Sequence, residues 1–476
     1  MPRSWPPPTG RRREGEGQVA RSRRRRTAAG LTVTALLLAG GYVAADAADL
    51  VPGVLTTAPP VPDPAPFPEA TAGAAEPLLP ALDPDAPLPS AEAVTALTEE
   101  LVADPRTGGA VAVVVRDALT DEVLADVAGD EPRTPASSLK LLGAVAALDA
   151  LGPDHVLRTT AVEGEGNQVV LVGGGDILLT DGEASEDVVG HASLADLAAA
   201  TAEALDGQEV SVAVDDTLFS GPGYAPGWGG IDLDYVMPIQ PLALDAGLDA
   251  DGEYVADPAL AAGQAFADAL RAEGVTVTGE VTRAQAPAGA RELASVESAP
   301  LRDVVAYELA VSENSVAEVL ARLVAIADGE EPTFEGAARA VLARLADLGI
   351  DTRAVTLADT SGLLVENQVP ASVLADVTAL ALDPGRPDLR GAVTGLPVAA
   401  LEGTLRGRMS GPAAGVLQAK TGTLTTAVSL TGLVQDADGR LLVFAVVADD
   451  LEPGGAAEAR AAIDEWAAAL AACGCR

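Results

Sequence analysis

Apolar residues along this chain recur in two spacings. Short runs bounded by Gly, Pro and Asp read as strands, and recurrences three and four residues apart read as helices. Residues 94–104 have the helical spacing, and "GAVAVVVRDA" (109–118) with "EVLADVA" (122–128) reads as two paired strands. A helix is expected from about Ala136 or Ser137, with Gly152-Pro153 as its stop. Strand, turn and helix signals then alternate through 156–297, with strands in "VVLVGGGD" (169–176) and at 209–214 and helices at 192–205 and 258–273. The Gly- and Pro-rich stretch 220–240 reads as a long surface loop. Residues 299–328 form one long helical stretch, and Ser312 and Asn314 inside it mark a break. A helix at 333–348 and a loop at 357–370 follow. "VLQAK" then leads into a hairpin of 427–434 and 440–448 across Asp438-Gly439, and a helix over 455–472 closes the chain. An α+β fold is expected, an antiparallel sheet with helices packed on it.

The first 26 residues carry nine Arg and two Glu, and residues 28–45 follow without a charge. Eighteen helical residues span about 27 Å, close to a bilayer core. Arginines ahead of an apolar run keep the N-terminus in the cytoplasm and send the rest outside. This is a signal peptide or a signal anchor, and Ala45-Asp46-Ala47 offers a small-residue cleavage site. Twelve of the 34 prolines lie in residues 49–92, the composition of an extended tether. The expected layout is a basic segment 1–26, a signal or anchor 27–48, a linker 49–92, a catalytic domain from 93–158 and 298–476, and an inserted domain 159–297. The protein is therefore expected outside the cytoplasm, either secreted or held at the membrane through the N-terminal helix.

Charge and rare residues exclude several functions. The formal charge is −40, and −47 without the first 26 residues. So acidic a body has no phosphate-binding surface, and no nucleic acid partner is expected. Cys473 and Cys475, the only cysteines, close too small a ring to staple a fold and too few ligands for a metal. His155 and His191 have no G-x-S-x-G nucleophile to serve. No motif calls for a cofactor or a metal.

Of 30 basic residues 28 are Arg, and the only lysines are Lys140 and Lys420. Arginine keeps its proton near neutral pH, so a proton-accepting amine has to be Lys. Lys140 closes "SSLK", three residues after Ser137, which puts the two on one helix face. S-x-x-K alone describes an N-cap serine and a solvated lysine equally well. Lys420 opens "KTGT", and "SEN" at 312–314 lies between the two. S-x-x-K, S-x-N and K-T-G in that order are the motif set of penicillin-binding proteins and class A β-lactamases. In that chemistry Ser137 attacks an acyl carbon and Lys140 takes its proton, while Ser312 relays a proton to the leaving amine. Asn314 holds Lys140 or the substrate amide, and Lys420 adds a positive charge that keeps Lys140 neutral. Thr421 and Thr423 hydrogen-bond a substrate carboxylate, and Gly422 leaves room for the substrate strand. Backbone N–H groups of Ser137 and Thr423 form the oxyanion hole.

Further stretches carry a family resemblance. "GGGD" (173–176), "DDTLFSGPG" (215–223), "SENSVAE" (312–318), "DTSGL" (359–363) and "KTGTLT" (420–425) resemble the D-alanyl-D-alanine carboxypeptidase/endopeptidase family, the class C low-molecular-mass penicillin-binding proteins. The likeness covers about residues 93–472. It implies a β-lactamase/transpeptidase-like antiparallel sheet flanked by helices, a helical subdomain, and an inserted domain between the first two motifs. It also implies cleavage of D-Ala-D-Ala ends or D-amino-acid cross-links of peptidoglycan stem peptides, with β-lactams as inhibitors that acylate Ser137. A β-lactamase is disfavoured by the separation of 175 positions from Ser137 to Ser312 and by the lack of E-x-x-L-N between Ser312 and Lys420. A non-catalytic wall-binding scaffold would have no use for Ser137, Lys140 and Lys420.

Overall fold

The structure, a computed structural model, describes residues 37–48, 50, 51 and 84–474. The basic segment 1–26, most of the expected linker and Cys475 lie outside the described residues. The chain divides into two compact units, Met1–Pro80 and Ala81–Arg476. In the first, residues 37–47 are helical, and among the described residues no helix is long and apolar enough to cross a membrane.

The second unit is built on a five-stranded antiparallel sheet. Its strands are β1 (Val111–Asp117), β2 (Val123–Val127), β10 (Leu417–Thr423), β11 (Val428–Gln435) and β12 (Leu441–Ala448), in the order β10-β11-β12-β1-β2. Both faces are covered, which is why β1 and β12 read as continuous apolar runs rather than alternating ones. Val113, Leu430, Phe444 and Val446 face α1 (Ala91–Ala103) and the C-terminal α9 (Ala456–Ala471), with Phe444 edge-on to Trp466 at 5.7 Å. Val114, Val443, Ala445 and Val447 face the other way, onto α2 (Lys140–Leu151) and α8 (Ala371–Leu382). The body begins before α1. Arg440, in the turn between β11 and β12, pairs with Asp117 and donates to the carbonyls of Pro84 and Ala86 at 2.9 and 3.2 Å. Ser90 then caps α1 by accepting from the Ala93 N–H.

Strands β3 (Pro132–Arg133) and β9 (Val369–Pro370) pair as a short ribbon, and a second five-stranded sheet lies between the first two motifs. Strands β4 (Arg158–Glu163), β5 (Gln168–Val172), β6 (Ser211–Asp215), β7 (Thr282–Arg283) and β8 (Glu292–Glu297) run in the order β7-β6-β5-β4-β8. The β5-β6 and β6-β7 pairs are parallel, because α3 (Leu194–Leu205) and α4 (Pro258–Ala272) serve as the crossovers. Leu171, Val212, Val214, Leu197, Phe266 and Leu270 form a core of its own.

One expectation is borne out and one is corrected. The long helical stretch is two helices, α5 (Leu301–Val311) and α6 (Asn314–Ala327), with Ser312 between them in the left-handed conformation at φ 65° and ψ 41°. The stretch 220–240 is not a surface loop along its length. Trp228, Val236, Met237 and Ile239 are buried, and the Trp228 ring stands edge-on to Phe334 of α7 (Phe334–Asp347) at 5.1 Å. Its glycines and prolines bend the chain, while its unevenly spaced apolar residues fill the core that helix spacing alone leaves open.

Candidate active site

A single 3-10 turn, Ala136–Leu139, precedes α2, so Ser137 lies just ahead of the α-helix and Lys140 is its first residue. Ala136 holds a positive φ of 46°, a conformation that costs a non-glycine residue energy and persists only where its surroundings enforce it. Three contacts enforce it here. The Ser138 and Ser429 hydroxyls lie 2.7 Å apart, and Ser429 also donates to the Pro135 carbonyl at 2.6 Å, which pins the turn to β11. Gly422 packs under the same turn: a Cβ there would meet the Ser429 hydroxyl, with the Pro135 carbonyl oxygen at 2.8 Å. Gly362 packs against it from the other side.

Lys140 is fully buried, and its Nζ has three neighbours. They are Ser137 Oγ at 3.1 Å, Asn314 Oδ1 at 2.6 Å and the Ser361 carbonyl at 2.5 Å. Asn314 is oriented by its other end, where Nδ2 donates to the Tyr235 carbonyl at 2.8 Å. Asn314 Oδ1 and the Ser361 carbonyl are pure acceptors and take N–H groups. A neutral amine has two N–H groups and one lone pair, so the lone pair is left facing the Ser137 hydroxyl. Burial pushes the Lys140 amine down to about 8, against the pull of Glu308, Asp359, Glu313 and Glu318.

Lys420 is also fully buried and donates to Ser312 Oγ at 2.8 Å and the Thr421 carbonyl at 2.7 Å. Burial, and then the charge of Lys140, hold it well below the ordinary lysine range. The left-handed turn at Ser312 ends α5 and brings this hydroxyl to Lys420, while Asn314, two residues on, reaches Lys140.

The structure thus gathers Ser137, Lys140, Ser312, Asn314 and Lys420 at one place. Ser137, Ser312, Asn314 and Thr423 line an open cavity of about 450 Å³, together with Asp232 and Tyr235. Thr421 and Gly422 differ from the expected substrate contacts. The Thr421 side chain is buried and shares a 2.8 Å hydrogen bond with Thr404. Gly422 leaves room for the Pro135–Ala136 turn and Ser429 rather than for a ligand.

A loop that sequence reasoning left without a role completes the surroundings of Lys140. Glu318 of α6 accepts from Thr360 N–H, the Thr360 hydroxyl and Ser361 N–H at 2.9, 2.7 and 2.7 Å. Asp359 accepts from Trp228 Nε1 and from the backbone of Gly362 and Leu364. These two carboxyls fix the loop so that the Ser361 carbonyl meets Lys140. Burial and the neighbouring Asp359 push Glu318 up to about 7. A third acid, Glu308, is buried beside both lysines, and burial pushes it up to about 8. "DTSG" is visible as a polar loop in the sequence, but a lone Glu in an apolar helix gives no such signal.

The family profile described as D-Ala-D-Ala carboxypeptidase 3 (S13) matches residues 94–250 and 252–470. The chain belongs to that family. It is a serine-type D-Ala-D-Ala carboxypeptidase in class. A carboxypeptidase of Mycobacterium tuberculosis is 38% identical over 404 residues, covering 81% of this chain and 85% of the relative. Carboxypeptidase DacB of Mycolicibacterium smegmatis is 36% identical over 473 residues, covering 94% and 97%. Among solved structures, penicillin binding protein 4 (dacB) from Haemophilus influenzae shares the fold with a TM-score of 0.64 at 21% identity, over 79% of this chain and 98% of that one. The α+β layout expected from the sequence is that of the S13 fold.

Proposed function

We propose that Ser137 is the nucleophile and Lys140 its base, in cleavage of the terminal D-Ala–D-Ala bond of peptidoglycan stem peptides. The observation that carries this is the Lys140 amine, held by two pure acceptors and 3.1 Å from Ser137 Oγ, so that its neutral form presents the lone pair to the serine. Ser137 Oγ attacks the carbonyl carbon of the penultimate D-Ala, and its proton passes to Lys140 Nζ. The backbone N–H groups of Ser137 and Thr423 receive the oxyanion. The carbon–nitrogen bond breaks, the proton that Lys140 accepted passes through Ser312 to the amine of the terminal D-Ala as it leaves, and Lys420 polarises Ser312. Water then attacks the ester on Ser137 and releases the shortened peptide. Asn314 orients Lys140, and Thr423 at the cavity wall is placed to meet the terminal carboxylate. Thr421 and Gly422 support this strand from behind. β-Lactams, which present a strained amide to the same serine, acylate Ser137 and inhibit. The domain works outside the cytoplasm, secreted or held by the N-terminal apolar segment.

Free D-Ala released from a stem pentapeptide ending in D-Ala-D-Ala tests this reading. Wild type should release D-Ala and Ser137→Ala should release none. Wall binding by a folded protein that releases no D-Ala would favour the scaffold reading. A cross-linked dimer offered in parallel separates carboxypeptidase from endopeptidase preference.

A further inference from the structure

Glu308 is 1% exposed, and neither of its carboxyl oxygens has a hydrogen-bond partner among the described residues. It stands in the last turn of α5, four residues before Ser312, whose hydroxyl holds Lys420. The charged groups that face it are Lys140 from α2, Lys420 from β10, Glu313 from the corner between α5 and α6, and Glu318 from α6. The other acids of this cluster have donors. Glu318 and Asp359 are satisfied by the 359–364 loop and Trp228, and Glu313 accepts from the Ser315 N–H at 3.0 Å. Glu308 alone faces the lysine pair with both oxygens unpartnered.

A buried carboxylate with no donor is stable only against a nearby positive charge, and a buried ammonium has the matching need. The acylation step creates that need. When Lys140 takes the Ser137 proton, a cation forms in a fully buried place beside a second lysine. Its nearest fixed partners, Asn314 Oδ1 and the Ser361 carbonyl, are dipoles and carry no charge.

We propose that Glu308 is a positioning residue of the reaction, whose carboxylate faces the Lys140–Lys420 pair and stabilises the protonated Lys140 that forms as Ser137 loses its proton. Glu308 touches no substrate and acts through Lys140. Burial pushes Glu308 up to about 8 and Lys140 down to about 8, so the two groups change charge in the same pH range. The proposal rests on Lys140 being the base of the reaction set out above.

The test is Glu308→Gln in the full chain, which keeps the shape and removes the charge. Two readouts are used. The first is the pH profile of acylation by a chromogenic β-lactam. Without the carboxylate the Lys140 amine gives up its proton more readily, so the acid limb should move to lower pH by about one unit, and the plateau should fall about tenfold because the ammonium is less stabilised. A residue that only fills space would leave the limb in place. Glu308→Asp should return part of both effects. The second readout is carbon-13 at the lysine ε-carbons, which gives two resonances because the chain has two lysines. The midpoint of the Lys140 resonance should fall in Glu308→Gln. An unmoved limb together with an unmoved midpoint overturns the proposal. If Glu308→Gln does not fold, Glu308→Asp decides on the same two readouts, with smaller shifts expected and none overturning it. A wild-type protein that folds but is never acylated would sink the assignment of Lys140 as base, and the lysine resonances would still decide whether Glu308 sets its titration.

Discussion

Gly362 lies directly against the Ala136 carbonyl, at a φ of +83° and with no space for a Cβ. One side of this contact is the turn that presents Ser137, and the other is the loop whose Ser361 carbonyl meets Lys140. The nucleophile and the orientation of its base are therefore set by one packing contact. Gly362→Ala forces the loop away from the turn and adds strain at a positive φ. Acylation of Gly362→Ala by penicillin should slow by about 100-fold, the scale of loss for a displacement near 1 Å at reacting groups. Ellipticity and melting should show that the variant still folds.

Lys140→Arg keeps a positive charge and removes the proton acceptor. Guanidinium holds its proton across the working pH range, so the Ser137 hydroxyl has no base. Acylation should fall by about 10²–10⁴, the usual contribution of a positioned base, with no recovery at high pH. Stopped-flow measurement with a chromogenic cephalosporin reads this directly.

The wild-type pH profile has a definite sign. Lys140 is the base when neutral, and burial brings its amine down to about 8 from an ordinary 10.5. The acylation rate should be low in acid, rise as Lys140 loses its proton, and pass its half-maximum near pH 8. A profile flat from pH 6 to 10 would mean that another group takes the proton.

Much of this was legible in the sequence, and the residues show why. Ser137, Lys140, Ser312, Asn314 and Lys420 were readable because chemistry dictates their types and because Arg occupies every other basic position. The strands and helices of the main sheet followed from spacing, including the break at Ser312, where two polar residues interrupt an apolar helix. Trp228 was hidden in a Gly- and Pro-rich stretch, since turn residues mask an anchor whose Nε1 reaches Asp359 across 131 residues of sequence. The roles of Thr421 and Gly422 were misjudged for a related reason. Strand alternation shows that they differ in facing, but not which face the Ser137 turn covers. Glu308 and Glu318 look like solvated helix residues until tertiary packing buries them. The parallel pairs of the second sheet depend on crossover direction, which local spacing does not encode.

Arg440 is a stability prediction separate from the chemistry. Its guanidinium and Asp117 form a buried pair with both Nε–Oδ1 and Nη2–Oδ2 at 2.6 Å, and the same group holds Pro84 and Ala86. Arg440→Ala strands a buried carboxylate and frees the start of the body, at a cost of about 3–5 kcal/mol. The melting temperature should drop and limited proteolysis should cut ahead of α1. The rate of acylation per folded molecule should stay as in wild type, because this turn lies at the other end of β11 from Ser429.

The central claim is that Ser137 becomes acylated with Lys140 as its base, and the most direct measurement is the mass of the penicillin adduct. The full chain is mixed with a penicillin, digested, and the modified peptide located, alongside Ser137→Ala and Lys140→Arg. The account predicts one adduct, on the peptide that carries Ser137, lasting for minutes in wild type, absent from Ser137→Ala and strongly slowed in Lys140→Arg. An adduct on another residue, or none on the folded wild-type protein, would contradict it.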